Sequence, residues 1–295
     1  MSVSEELFAP VSGDIELCYQ TFGDPEDEPL LLVMGLGGPM TWWDAPLCEM
    51  LAREGFHVIR FDNRDVGRSS RARGRVSRSM LVRGFTGMRV TPPYTLDDLA
   101  RDAFGLLDHL GIASAHVAGV SMGGMVVQCM ALLEPGRVRS MASIMSTTGR
   151  RTVGWQHPVL LRNLLTASQG REGYIRSSTA TWGLIGSPAY PQTKEKVEKR
   201  AADTYDRGVS LSGTTRQMAA IVTTADRTPG LRALDVPTVV VHGLADKMVH
   251  VSGGRATATA IPGAELLLVE GMGHDMPEPL WPTFVEAITG NARRA

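Results

Sequence analysis

The stretch Ala115–Gly124 reads AHVAGVSMGG: an apolar run that breaks at Gly119-Val-Ser121-Met-Gly123 and resumes with helical character over Met125–Leu133. A serine flanked by glycines at this spacing, between a strand and a helix, is what a nucleophile elbow requires. The turn is so tight that side chains at the flanking positions would collide, and the serine takes a strained backbone conformation. Ser121 Oγ is thereby lifted clear of the sheet edge, at the positive end of the following helix. A serine hydroxyl is a poor nucleophile at neutral pH, so the chemistry also needs a base within hydrogen-bond reach and an acid to orient that base. Two later segments supply them. The apolar run Thr238–His242 leads into Gly243-Leu244-Ala245-Asp246, and Leu266–Val269 leads into Gly271-Met272-Gly273-His274. Ser121, Asp246 and His274 therefore follow three strand ends in the order nucleophile, acid, base. A tetrahedral intermediate further needs N–H donors. We assign one to the Met122 backbone, directly after the serine, and one to Leu36 in Met34-Gly35-Leu36-Gly37-Gly38, each worth about 3 kcal/mol of transition-state stabilisation.

The elements that must hold these residues alternate. Ile15–Thr21 reads as an antiparallel edge hairpin strand with Gly13-Asp14 as its turn, and Leu30–Met34 and His57–Phe61 read as strands covered on both faces. Between them Thr41 stands as a helix cap before an amphipathic Trp42–Glu54. A helix over Thr95–Leu110 carries Asp97 and Asp98 in its first turn and Gly111 after its end. The elbow, a helix Met122–Leu133 and a strand Val138–Ile144 follow. This alternation specifies an α/β fold with a mostly parallel central sheet flanked by helices on both sides. After Ser146 the rhythm changes: Trp155–Ser168, Glu172–Leu184, Thr193–Arg207 and Thr214–Asp226 are helical in character with no buried strand between them. Strands return at Pro237–His242 and Glu265–Val269, with helices near Gly254–Ala260 and Pro279–Thr289. Residues 1–146 and 231–295 thus form a core, and 147–230 a helical insertion over the carboxyl ends of the strands, where open α/β sheets bind ligands.

Composition narrows the function. With 295 residues, 43% apolar, the chain has ample material for a large core. The net charge of −1 provides no global attraction to nucleic acid or an anionic membrane. The start, MSVSEELFAP, lacks the basic and apolar regions of a secretory signal, and no apolar run has the length of a bilayer span, so a cytoplasmic protein is expected. Cys18, Cys48 and Cys129 match neither a disulfide framework nor a zinc site; they read as reduced thiols, with Cys129 a core residue. No cofactor or metal is called for: Gly35-x-Gly37 lacks the third glycine and acidic partner of a dinucleotide fingerprint, and nothing resembles a phosphate loop. One segment is unusual. Arg68, Arg71, Arg73, Arg75, Arg78, Arg83 and Arg89 occur with no acidic residue between Asp65 and Asp97. It reads either as a solvated loop or as a rim that steers acidic substrates or lipid headgroups.

The motifs MGLGG at 34–38, FDNRDVGRS at 61–69, GVSMGG at 119–124, HGLAD at 242–246 and GMGHDMP at 271–277 together resemble those of the α/β-hydrolase superfamily. The resemblance covers nearly the whole chain and is weakest in the inserted helices. Within the superfamily the sequence is most similar to bacterial carboxylesterases and lipases of the aclacinomycin methylesterase-like group. That implies an α/β-hydrolase fold with a helical cap, or lid, inserted after the sixth strand. It also implies that Asp62 and Arg64 act as a scaffold for loops beside the active site rather than in catalysis. Two departures stand out: Met34 replaces the histidine of an HG motif, and Asp65 replaces a glycine.

The elbow serine argues against relatives that use an aspartate there, such as haloalkane dehalogenases and epoxide hydrolases. Methionines adjoin every catalytic segment, namely Met34, Met40, Met122, Met125, Met248, Met272 and Met276. They are either core filler or the lining of a deep, adaptable apolar pocket. The expected activity is hydrolysis of a small-molecule ester of a hydrophobic acid or alcohol through an acyl-enzyme on Ser121. The same three residues also serve thioesterases, lactonases, C–C bond hydrolases and cofactor-free perhydrolases, and the fold is used in ligand sensors, so these alternatives stay open. So do monomer or homodimer and peripheral lipid contact.

Overall fold

The computed structural model describes residues 2–160 and 170–295. The chain opens with an antiparallel pair, β1 (Leu7–Ser12) and β2 (Ile15–Phe22), joined at Gly13-Asp14. Then come β3 (Glu28–Val33), α1 (Ala45–Arg53), β4 (Phe56–Phe61), α2 (Arg78–Phe85), α3 (Leu96–His109), β5 (Ala115–Val120), α4 (Met122–Leu133) and β6 (Val138–Ile144). Helices α5 (Gly170–Ile185), α6 (Lys194–Gly208), α7 (Leu211–Thr223) and the short α8 (Thr228–Leu231) precede β7 (Thr238–Gly243), α9 (Ser252–Ala260), β8 (Glu265–Val269) and α10 (Trp281–Ala292). The eight strands form one sheet in the order β1-β2-β4-β3-β5-β6-β7-β8, parallel from β4 to β8 and antiparallel at the β1-β2-β4 end.

Both faces of the sheet are covered. On one, Leu99, Phe104, Val126 and Met130 of α3 and α4 pack with Leu31 and Val117. On the other, Leu47, Leu51, Phe284 and Ile288 of α1 and α10 pack with Leu30, Leu32 and Val239. All six residues of β5, the strand that ends in the elbow, are buried. Continuous apolar runs form these central strands because neither face meets water.

The sequence expectations hold for the central strands and for α3, where Thr95 and Asp98 cap each other reciprocally. They shift at the edges. Thr41 caps no helix: Met40–Trp42 is a single 3-10 turn and α1 begins at Ala45 with Asp44 in the cap position. Pro46 sets that start, since its ring fits only the first helical turn. The sheet edge is β1 rather than β2, and Pro10 is tolerated there because an edge strand can leave an N–H position unpaired. The arginine-rich segment is not all loop, for α2 lies within it, capped by Ser77 Oγ, which accepts from Met80 N at 3.1 Å. The expected helix over 155–168 is absent from 155–157, which are irregular, and 158–160 make one 3-10 turn; 161–168 lie outside the described residues. Helix α7 starts at Leu211, three residues before Thr214, because Ser210 Oγ caps it at Gly213 N.

Candidate active site

Ser121 sits between β5 and α4 at φ 56°, ψ −115°, a region that L-residues with a Cβ rarely occupy. The flanking glycines leave no alternative. A Cβ on Gly119 would stand 2.2 Å from the Gly123 carbonyl oxygen, and one on Gly123 would stand 2.1 Å from that of Val33. The turn is held by Ser121 N donating to Ile144 O at 2.9 Å and by Ser146 Oγ donating to Ser121 O at 2.7 Å.

The structure brings together the three residues picked from the sequence. His274 Nε2 lies 3.0 Å from Ser121 Oγ, and His274 Nδ1 lies 2.7 Å from Asp246 Oδ2. An ionised carboxylate can only accept, so Nδ1 carries the hydrogen and Nε2 is left to accept from the serine hydroxyl. The other oxygen, Asp246 Oδ1, accepts from the Met248 and Val249 amides at 2.8 and 2.9 Å. Burial by itself would push the Asp246 pKa up, but the His274 and His242 imidazoles outweigh it and hold the carboxyl well below the usual carboxylate range. His242 was not picked from the sequence. It is buried at the end of β7, donates from Nε2 to Val249 O at 2.8 Å and lies 3.5 Å from Asp246 Oδ2. The loop bearing His274 is gripped from α5: His274 N donates to Ile185 O at 2.7 Å and Gly273 N to Ser187 Oγ at 2.9 Å.

Leu36 and Met122 both line the space in front of Ser121. Met122 is the first residue of α4, so its N–H has no intrahelical acceptor. The loop carrying Leu36 is fixed from outside the sheet. Gln217 of α7 accepts from Gly37 N at 2.8 Å and donates to Arg64 O at 3.0 Å, and Asn63 Nδ2 donates to Met34 O at 3.0 Å.

The departure at Asp65 now has a physical account. It occupies φ 73°, where glycine is at ease, and its carboxylate receives Arg216 Nη2 and Nε of α7 at 2.6 and 2.8 Å and Tyr94 OH at 2.8 Å. Asp62, fully buried, accepts from Met40 N and Arg68 N at 2.7 and 2.9 Å and from Arg207 Nη2 of α6 at 2.8 Å. Arg64 pairs through both Nε and Nη2 with Asp102 of α3, each at 2.5 Å. None of the three carboxylates touches Ser121.

Ser121 and His274 open onto a cavity of about 920 Å³ between the sheet and the helices that follow β6. Met34, Met122, Met125, Met248 and Met276 line it, whereas Met40 and Met272 are fully buried in the core. Met145 and Met218, not singled out from the sequence, join the lining. Trp42 and Trp182 meet edge to face at 5.3 Å in its wall, and the Arg200 guanidinium lies 4.2 Å over the Trp182 ring. Among the described residues Arg200 Nε and Nη2 have no acceptor, and burial lowers the Arg200 pKa. Cys129 is buried in α4 and burial pushes its thiol up to about 12, so it is no rival nucleophile at neutral pH.

A model of the alpha/beta hydrolase fold family matches residues 28–278. The chain belongs to that family. It is 25% identical to the rhodomycin D methylesterase DnrP of Streptomyces peucetius over 96% of each chain. It is also 25% identical to 3-oxoadipate enol-lactonase 2 of Acinetobacter baylyi, over 87% of this chain and 86% of that one. The crystal structure of an enol-lactonase from Burkholderia xenovorans superposes with a TM-score of 0.75 at 24% identity, covering 97% of this chain and all of the other. The fold is therefore that of the α/β hydrolases, as the motifs implied.

Proposed function

We propose that this protein is a carboxylic ester hydrolase that works through an acyl-enzyme on Ser121, with His274 as general base and acid and Asp246 as its orienting carboxylate. The observation that carries this reading is the chain of contacts from Ser121 Oγ to His274 to Asp246, at 3.0 and 2.7 Å, at the floor of a large apolar cavity. Attack of Ser121 Oγ on the ester carbonyl carbon forms the new C–O bond as His274 Nε2 takes the hydroxyl proton. Negative charge develops on the carbonyl oxygen and is met by the Leu36 and Met122 N–H groups. Collapse breaks the ester C–O bond, and the alcohol leaves with the proton from His274. Water, activated by the same nitrogen, then releases the acid. Asp246 remains ionised throughout and stabilises the imidazolium, which fits a carboxyl held below its ordinary range.

Residues 147–230 act, in this reading, as a cap that encloses the acyl or alcohol portion. The methionine and tryptophan lining favours a hydrophobic group there, because thioether side chains adapt to irregular shapes. Relatives that are a methylesterase and an enol-lactonase are a reason to try open-chain and cyclic esters first. The test is reaction with a fluorophosphonate probe, located by peptide mapping, beside a p-nitrophenyl ester series of increasing acyl length. Stoichiometric labelling of Ser121, turnover that rises through medium chains, and loss of both in Ser121→Ala are expected. Wild-type turnover in Ser121→Ala would overturn the assignment.

A further inference from the structure

We infer that α2 and the arginine-rich loops around it form a docking surface for anionic lipid bilayers at the rim of the cavity. The sequence concentrates seven arginines and no carboxylate between Asp65 and Asp97 in a chain whose net charge is −1, so the positive charge is local. Three of these arginines are engaged. Arg68 pairs with Glu6 at 2.7 Å, Arg73 with Asp14 at 3.3 Å, and Arg71 donates to the Gly67 and Gly208 carbonyls. Arg75, Arg78, Arg83 and Arg89 are exposed and, among the described residues, make no ion pair.

Apolar side chains stand among these free charges. Arg78, Val82 and Phe85 are spaced i, i+4, i+7 along α2 and share its outer face. Gly84 is buried on the opposite face, where a Cβ would lie 2.9 Å from Val222 of α7. Val82 is 62% exposed, Phe85 75% and, just past the helix, Met88 55%. An exposed helical face that mixes arginine with valine, phenylalanine and methionine matches the interfacial helix of a peripheral membrane protein: charge meets the headgroups and the apolar groups enter the acyl boundary. A purely ionic partner such as nucleic acid would leave the apolar groups without a role.

Its position relative to the cavity gives the surface a use. Phe85 and Val222 both line the cavity, and Arg151, another lining residue, donates to the Phe85 and Gly84 carbonyls at the end of α2. A bilayer seated on α2 would thus adjoin the entrance through which a hydrophobic ester reaches Ser121. The delivery step rests on the esterase reading; the binding step does not.

The experiment is co-sedimentation of the full chain with vesicles of phosphatidylglycerol and phosphatidylcholine, compared with phosphatidylcholine alone. The Ser121→Ala protein is carried in parallel. Wild type and Ser121→Ala are expected to bind the anionic vesicles equally, with binding that weakens as salt is raised. Each arginine near an anionic surface contributes about fivefold in partitioning, so Arg78→Gln/Arg83→Gln/Arg89→Gln should bind about a hundredfold more weakly. Val82→Ser/Met88→Ser should also lose binding while retaining the salt dependence. Turnover of a short soluble ester should stay at the wild-type rate in both variants. No binding to anionic vesicles, or binding that neither variant weakens, would overturn the inference. Equal retention on duplex DNA that ignores Val82 and Met88 would overturn it too, leaving only a cationic patch. Vesicle binding without cleavage of any ester would leave this surface standing and remove the esterase reading instead.

Discussion

Asp246→Asn is the sharpest test of the relay, because the surroundings of Asp246 dictate how an amide must sit. Oδ1 accepts from two backbone amides, Met248 N and Val249 N, at 2.8 and 2.9 Å. Turning the asparagine so that its NH2 faced them would set donors against donors, so the amide oxygen stays there and the NH2 takes the place of Oδ2. That position lies 2.7 Å from His274 Nδ1 and 3.5 Å from His242 Nε2. His242 Nε2 keeps its hydrogen, since it donates to Val249 O. His274 Nδ1 must therefore become the acceptor, and the ring proton moves to Nε2, which points at Ser121 Oγ. A protonated Nε2 cannot take the serine proton. An inverted tautomer of this kind lowers kcat about ten-thousandfold, equivalent to about 5 kcal/mol of barrier. The assay is kcat on a p-nitrophenyl ester with the fluorophosphonate labelling rate measured beside it and the thermal midpoint taken as a control for folding. A folded Asp246→Asn protein that lost less than tenfold in both rates would refute this reasoning, either in the tautomer or in the role of Ser121.

Gly123→Ala places a methyl 2.1 Å from the Val33 carbonyl, so β3 or α4 must move; we expect about 3 kcal/mol of lost stability in urea titration and slower probe labelling. Arg216→Met leaves the buried Asp65 carboxylate without its cation and should cost about 3–5 kcal/mol. Much of that should return in Arg216→Met/Asp65→Gly, which also relieves the positive φ, and urea midpoints of the two variants decide the matter. Asp44 has its carboxyl pKa raised, chiefly by burial, against weaker pulls from Arg200 and Lys196. The unfolded chain therefore releases this proton at lower pH than the folded one, and the wild type loses stability as pH climbs between the two values. Asp44→Asn, which breaks no capping bond, should melt higher than wild type at neutral pH, and the difference should close as pH falls below the ordinary aspartate range. Scanning fluorimetry across pH reads it directly.

Much of the geometry of the candidate site was legible because the proposed chemistry needs particular residues at particular strand ends. The elbow announces itself through glycines that sterics demand at 119 and 123. The strand that leads to Asp246 is a continuous apolar run because both sheet faces are covered there, whereas the one that leads to His274 is the half-buried edge strand β8, legible from its leucines alone. What escaped depended on the third dimension. His242 looks like the last residue of an apolar strand, and only the turn that follows folds Val249 back to meet its Nε2. The start of α1 was misplaced because Thr41 has the chemistry of a cap, whereas the constraint lies in Pro46. Helix α2 was hidden by its arginines: an eight-residue helix whose inner face is the buried Gly84 with half-buried Met80 and Leu81 has too weak an apolar pattern to read. Asp65 shows the same limit, since its partner Arg216 lies 151 positions away.

That long-range pair has a consequence for how selectivity and catalysis are linked. Consecutive residues of α7 serve both: Arg216 holds the Asp65 loop, Gln217 holds the Gly37 loop beside Leu36, and Met218, Ile221 and Val222 line the cavity. One rigid helix thus sets the position of the proposed oxyanion donor and part of the wall that meets the substrate. Bulk added at Met218 beyond what the cavity takes up is accommodated by a shift of α7, and any shift is transmitted through the buried Gln217 amide to the loop that carries Leu36. Substitutions at Met218 that change chain-length preference should therefore lower kcat for every ester, including short ones that never reach position 218. Exposed positions on the same helix, such as Leu211, should leave both unchanged. A Met218 series that altered chain-length preference at constant kcat on a short ester would show that the wall and the oxyanion loop are independent.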